Sequence, residues 1–207
     1  MHDIVLLGIN HKTAPVELRE CIAFSKEETG TAVQKLHRKP HIKEVVLFST
    51  CNRVELLFVT DDKTQTISNT KNFIAKFNKI PQEDFEGALY IHAGDEAVRH
   101  VFRVASSLDS MVVGEPQILG QIKDAYRMAT EVKAAGVILN RLFHRAFFVA
   151  KRIRTETGIG DRAVSISYAA VELGRKIFGT LEGKRVLLVG AGEMAELAVD
   201  HLIRNKA

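Results

Sequence analysis

Cys51 lies between two strand-like segments, preceded by Thr50 and followed by Asn52 and Arg53. A thiol delivered to a strand end can reach solvent, and a neighbouring guanidinium favours the thiolate, the nucleophilic form of sulfur. The same position would also suit a cysteine that packs as a small hydrophobe. Arg53 fits either a surface site or a partner for a carboxylate, which its planar fork can hold in two places. Cys21, in the apolar run Cys21-Ile22-Ala23-Phe24, reads as a structural thiol. Two cysteines make neither a disulfide framework nor a Cys/His metal set, so no metal site is expected and any chemistry at sulfur is thiol chemistry.

Three further groups carry potential chemistry. His100 falls at the edge of the polar face of a helix whose core face is Ala97, Val98, Val101, Phe102 and Ala105; a histidine there can be solvated, cap, or move protons. Gly114-Glu115-Pro116-Gln117 opens another helix, on which Gln117 and Gln121 are one turn apart. Two aligned amides near unpaired helix N–H groups form a polar recognition surface, or are ordinary surface glutamines. Finally, Gly190-Ala191-Gly192-Glu193-Met194-Ala195 follows four apolar residues and precedes a helical pattern. Glycines there allow a tight turn and close approach of a pyrophosphate, and the helix N-terminus supplies positive potential, although a plain strand-to-helix turn has the same outline.

The elements that position these groups follow from periodicity and breakers. Apolar alternation predicts strands over residues 4–9, 44–49, 54–60 and 89–92. Ser25 three residues before Glu28 is a capping-box pattern for a helix to about residue 38, and a second helix is expected over 65–78, ended by Pro81. This β-α-β-β-α-β order predicts an α+β fold of the ferredoxin-like sandwich type. A helical segment follows, with helices over 95–107, from Pro116, from about 137, and over 163–178. Residues 185–189 read as a buried parallel strand, the first strand-turn-helix of a Rossmann-type unit. The expected division is 1–157 and 158–207.

Charge and composition narrow the classes. The 207 residues are 46% hydrophobic and 26% charged, which fits a globular chain and excludes wholly disordered and collagen-like ones. No apolar run is long enough to cross a bilayer and no signal-peptide pattern opens the chain, so a cytoplasmic protein with no membrane association is expected. The +4 net charge is concentrated in one place: Arg141, Arg145, Lys151, Arg152, Arg154 and Arg162 face only Glu156 and Asp161. An apolar stripe of Leu142, Ala146, Val149, Ala150 and Ile153 makes this a basic-faced helix, either a solvated surface or a phosphate-contacting one.

Taken together, the motifs Gly8-Ile9-Asn10-His11-Lys12-Thr13-Ala14-Pro15-Val16, Ser49-Thr50-Cys51-Asn52-Arg53-Val54-Glu55-Leu56, Ser107-Leu108-Asp109-Ser110, Gly114-Glu115-Pro116-Gln117-Ile118-Leu119-Gly120-Gln121 and Val189-Gly190-Ala191-Gly192-Glu193-Met194 resemble, in order and spacing, those of glutamyl-tRNA reductase. The resemblance covers the whole chain but about the first half of the family's length. It implies Cys51 as the nucleophile that takes the glutamyl group from glutamyl-tRNA as a thioester, and NADPH as hydride donor yielding glutamate-1-semialdehyde for tetrapyrrole synthesis. It further implies a substrate pocket of Thr50, Asn52, Arg53, Ser110, Glu115, Pro116, Gln117 and Gln121, with Arg53 assigned to the γ-carboxylate and Glu115 to the α-ammonium. His100 matches a histidine tied to activity, and residues Gly190 to Ala195 match the NADPH phosphate loop. Homodimerisation and contact with the next pathway enzyme, glutamate-1-semialdehyde aminomutase, also follow from the resemblance. A non-catalytic tRNA-binding module and a different NAD(P)-dependent oxidoreductase are the alternatives.

Overall fold

A computed structural model describes residues 2–159, 166–190 and 192–205. Four strands, β1 (Asp3–Asn10), β2 (Ile42–Thr50), β3 (Arg53–Thr60) and β4 (Tyr90–Ala93), form one antiparallel sheet in the order β2-β3-β1-β4. Between them lie α1 (Val16–Cys21), α2 (Lys26–His37), α3 (Lys63–Asn78) and α4 (Gln82–Glu86). After β4 come α5 (Asp95–Ala105), α6 (Gln117–Glu131), α7 (Val137–Thr157), α8 (Ile166–Phe178) and α9 (Glu193–Arg204).

The central part of the sheet is buried on both faces, which explains why β3 is apolar almost throughout. Leu6, Val46, Phe48 and Leu57 share one face and meet Val101 of α5, Ile122 of α6 and Phe143 of α7 around a void of about 30 Å³. The other face meets α2 and α3; Thr60, for instance, pairs its hydroxyl with that of Thr66 at 2.7 Å. Edge strand β2 is covered where Val45 N donates to Ala134 O at 2.9 Å.

Local signals set the helix ends. The Ser25–Glu28 capping box is formed in both directions. Asp62 caps α3 by accepting from Gln65 N at 3.0 Å. The N-terminus of the basic helix α7 is held from a distance. Buried Glu44 accepts from Gly136 N (3.0 Å), Ile138 N (3.0 Å) and Leu139 N (2.7 Å), placing a carboxylate on the positive end of a 21-residue helix.

Some expectations differ from the structure. The short helices α1 and α4 have no counterpart in the sequence pattern, because five or six residues hold too little periodicity to detect. The helix expected over 163–178 is described from Ile166, its first three residues lying outside the described ones. Residues 185–189 form no strand, and Leu187 and Val189 are 86% and 91% exposed. A parallel strand needs neighbours to pair its backbone and cover both faces, and none of the described residues provides them. Helices α8 and α9 lie against each other, with the rings of Tyr168 and His201 5.2 Å apart edge to face.

Candidate active site

Thr50 pairs with Arg53 across the sheet, so Cys51 and Asn52 form the tip of the β2–β3 hairpin. Thr50 Oγ1 accepts from the amides of Asn52 and Arg53, each at 3.2 Å, a hydroxyl substituting for backbone pairing in the turn. Two segments pin the turn from outside: His11 N donates to Asn52 O at 2.9 Å, and Arg19 Nε donates to Cys51 O at 3.1 Å. The backbone is held while the Cys51 side chain stays exposed. Cys21 is also exposed, which corrects its expected structural role: Ile22 and Phe24 are the residues of that run that enter the core.

Beside Cys51 opens a cleft of about 450 Å³. Thr50, Asn52, Arg53, Ser110, Glu115, Pro116, Gln117 and Gln121 all line it, joined by Ile118, Gly120 and Asp124, which the motifs did not single out as site residues. The Ser110 hydroxyl is buried there with no hydrogen-bond partner, an orphaned polar atom of the kind a ligand satisfies.

Arg53 does not present its guanidinium as a free clamp. It is 1% exposed; Nη1 donates to Glu55 Oε1 at 2.6 Å, and Nη2 donates to Asp109 O at 2.5 Å and Asp109 Oδ2 at 3.2 Å. The expectation of a two-pronged grip on a substrate carboxylate therefore gives way to an internal ion pair, since a buried cation must be compensated within the protein. Lys12 Nζ adds a 2.6 Å bond to Asp109 Oδ1.

Glu55 is the hub of this network. Its Oε1 accepts from Arg53, from Tyr90 Oη and from His100 Nε2, the last at 2.8 Å. His100, expected at the edge of the polar helix face, turns onto the sheet with its side chain 11% exposed. It is not among the residues that line the cleft. Burial pushes the Glu55 carboxyl up, but the His100 hydrogen bond and the Arg53 charge outweigh it and hold the group below the ordinary carboxylate value. Asp109 is likewise depressed: burial raises it, and the Lys12 bond and Arg53 charge lower it further. Burial, and then the Glu55 charge, push the Tyr90 phenol far up. Room for Glu55 comes from Gly8, its cross-strand partner; a Cβ there would stand 2.7 Å from Val54 O and 2.8 Å from Glu55 Cγ.

The far wall of the cleft is held from α7. Arg154 Nη2 donates to Ser107 Oγ (2.9 Å), to Gly114 O (3.3 Å) and to Glu115 O, while Ser107 Oγ donates to Glu115 O at 2.8 Å. Arg154 is thus drawn out of the basic face in which the sequence places it. Arg152 pairs with Glu156, Arg141, Arg145 and Lys151 face solvent, and Arg162 lies outside the described residues.

In the glycine turn, Gly190 has φ +118° and Gly192 caps the 12-residue helix α9. A Cβ on either glycine would meet nothing within 4 Å. An open backbone at a helix N-terminus fits the pyrophosphate part of a dinucleotide. Ala195 N donates to Gly192 O at 2.9 Å; Ala191 and the side chains of Glu193 and Met194 lie outside the described residues.

Comparison with known proteins shows what the chain is similar to. The model of the family "Glutamyl-tRNAGlu reductase, N-terminal domain" matches residues 7–157, and that of "Shikimate / quinate 5-dehydrogenase" matches residues 172–207. The glutamyl-tRNA reductase of Desulfatibacillum aliphaticivorans is 60% identical over 205 residues, covering 99% of this chain and 47% of its own length. That of Citrifermentans bemidjiense is 54% identical over 203 residues, covering 98% and 47%. The structure of glutamyl-tRNA reductase from Methanopyrus kandleri superposes with a TM-score of 0.70 at 38% identity, over 99% of this chain and 47% of that one. The chain spans about half the length of the curated relatives it matches.

Proposed function

The chain belongs to the glutamyl-tRNA reductase family, and from that premise we propose that it carries the acyl-transfer centre of an NADPH-dependent enzyme that reduces glutamyl-tRNA to glutamate-1-semialdehyde, the aldehyde that feeds tetrapyrrole synthesis. One observation carries the reading: residues 50–53, Ser110 and residues 115–118, 120 and 121, far apart in sequence, converge on a single cleft at an exposed Cys51. The Cys51 sulfur attacks the ester carbonyl, the C–S bond forms, and the ester C–O bond breaks as the thiol proton passes to the departing tRNA oxygen. A thioester is a better hydride acceptor than the ester it replaces, which separates acyl transfer from reduction.

Glu115 and Asp124 supply negative charge to the cleft for the substrate α-ammonium, and Arg53 is the one basic residue lining it among the described residues. The γ-carboxylate is drawn by the Arg53 field and meets Ser110 and the Asn52 and Gln121 amides. His100 acts through Glu55 as a positioning residue for Arg53. NADPH, when bound, supplies the hydride; Gly190, Ala191 and Gly192 with the start of α9 would hold its pyrophosphate.

The same proposal divides the chain at 157/158, where α7 ends and Gly158 turns left-handed at φ 62°. It reads the first unit as ferredoxin-like from its strand order and 158–207 as the opening of a Rossmann-type unit. Exposed Arg141, Arg145 and Lys151 serve as tRNA phosphate contacts. Homodimerisation and hand-over of the reactive aldehyde to glutamate-1-semialdehyde aminomutase complete it.

Mass spectrometry after mixing with glutamyl-tRNA tests the centre. A glutamyl adduct on the peptide carrying Cys51, absent from Cys51→Ser, is expected. Binding of tRNA irrespective of its amino acid, with no adduct, would instead favour a non-catalytic tRNA module.

A further inference from the structure

Cys51 stands between two openings. The second opening is a groove of about 290 Å³, lined by Arg19, Glu20, Ala23 and Phe24 and by the strand end that bears Ser49, Thr50 and Cys51. Thr50 and Cys51 border both spaces. Arg19 is 9% exposed. Its guanidinium donates to two carbonyl oxygens, of Cys51 at 3.1 Å and of Ala14 at 2.7 Å, and among the described residues it forms no ion pair. A nearly buried cation with no ion-pair partner among the described residues, at the wall of an open groove, is suited to an anion. The volume is near the lower end of the range for small-ligand pockets.

An ester carbonyl attacked by the Cys51 sulfur carries two substituents that diverge from it, the acyl chain and the departing alcohol. With the glutamyl group in the cleft, the alcohol lies across the sulfur. We propose that the groove is the subsite for the 3′-terminal nucleotide of the aminoacylated tRNA, with Arg19 facing its phosphate; this rests on the acyl-transfer reading above. As the C–S bond forms and the C–O bond to the nucleotide breaks, the thiol proton passes to the ribose oxygen, and the nucleotide leaves through the groove.

The test compares acylation of Cys51 by glutamyl-tRNA with acylation by the S-benzyl thioester of glutamate, which lacks a nucleotide. Ala23→Phe, which fills the groove, should lower the ratio of the two kcat/KM values at least about tenfold. Glu20→Lys, at an exposed position, should lower the KM for glutamyl-tRNA by about fivefold at low salt and less at high salt. This second variant stands if the first fails to fold. Unchanged ratios in both variants overturn the subsite while leaving acyl transfer intact. Normal ratios with weakened NADPH binding in Ala23→Phe would give the groove to the cofactor and also overturn it. Wild-type protein acylated by neither substrate would sink the acyl-transfer reading itself, and the subsite with it.

Discussion

His100 Nε2 lies 2.8 Å from Glu55 Oε1, and the same oxygen takes a 2.6 Å bond from Arg53, so one buried carboxylate ties a helix to the residue two places after Cys51. Glu55→Gln removes the negative charge while leaving Arg53 buried. Uncompensated buried charge of this kind costs about 3–5 kcal/mol. Urea unfolding should report a loss of that order; a midpoint close to wild type would show that Asp109 alone balances Arg53.

Gly8→Ala should destabilise by about 1–3 kcal/mol or more through overpacking, because the new Cβ meets backbone at Val54 O, 2.7 Å away, as well as the Glu55 side chain. Glu55→Gln retains the bulk of the side chain, so it should not rescue Gly8→Ala, whereas Glu55→Ala should recover part of the loss. A double-mutant cycle in thermal unfolding checks the coupling.

Acid stability should follow the depressed carboxyls. Glu55 and Asp109 titrate below their ordinary values in the folded chain. Their contribution is therefore complete above the unfolded carboxylate range, about pH 4, and is lost as the pH falls through the lower folded values. Asp61, held down to about 2 by its bonds to Lys43 and His41, adds a contribution of the same sign at the surface. Denaturant midpoints measured from pH 7 to 2 should fall below about pH 4, less steeply in Glu55→Gln.

The two thiols should separate cleanly. Both are exposed, so Cys51→Ser and Cys21→Ser should each shift stability by no more than about 0.5 kcal/mol. Only Cys51→Ser should abolish the glutamyl adduct. An adduct retained in Cys51→Ser and lost in Cys21→Ser would reverse the assignment.

Arg154 and its exposed neighbours should respond differently to salt. Removing Arg141 and Arg145 together should weaken tRNA binding and lower the magnitude of the log K against log salt slope by about 1 for each phosphate no longer neutralised. Arg154→Ala should leave that slope unchanged and raise the KM for glutamyl transfer, because its Nη2 holds Ser107, Gly114 and Glu115 rather than solvent-facing phosphate.

Much of the frame is legible from local pattern. Apolar alternation locates the strands, Ser25 and Glu28 announce α2, and the Thr50-Cys51-Asn52-Arg53 link is recognisable as a strand-to-strand turn because each of these signals is written within a few residues. Two charges carry a further clue: Glu44 and Glu55 interrupt otherwise apolar strands, and a carboxylate at a buried position must find partners. Which partners they find is decided only by the tertiary structure. Glu55 meets Tyr90 and His100 across 35 and 45 positions of chain, and Glu44 meets Gly136 across 92. The antiparallel register that sets Gly8 opposite both Glu55 and Tyr90 makes the first of these meetings possible. Periodicity tells a side chain which face it takes; long-range packing alone tells a buried charge what balances it, and here that makes Arg53, His100 and Arg154 internal supports of the cleft.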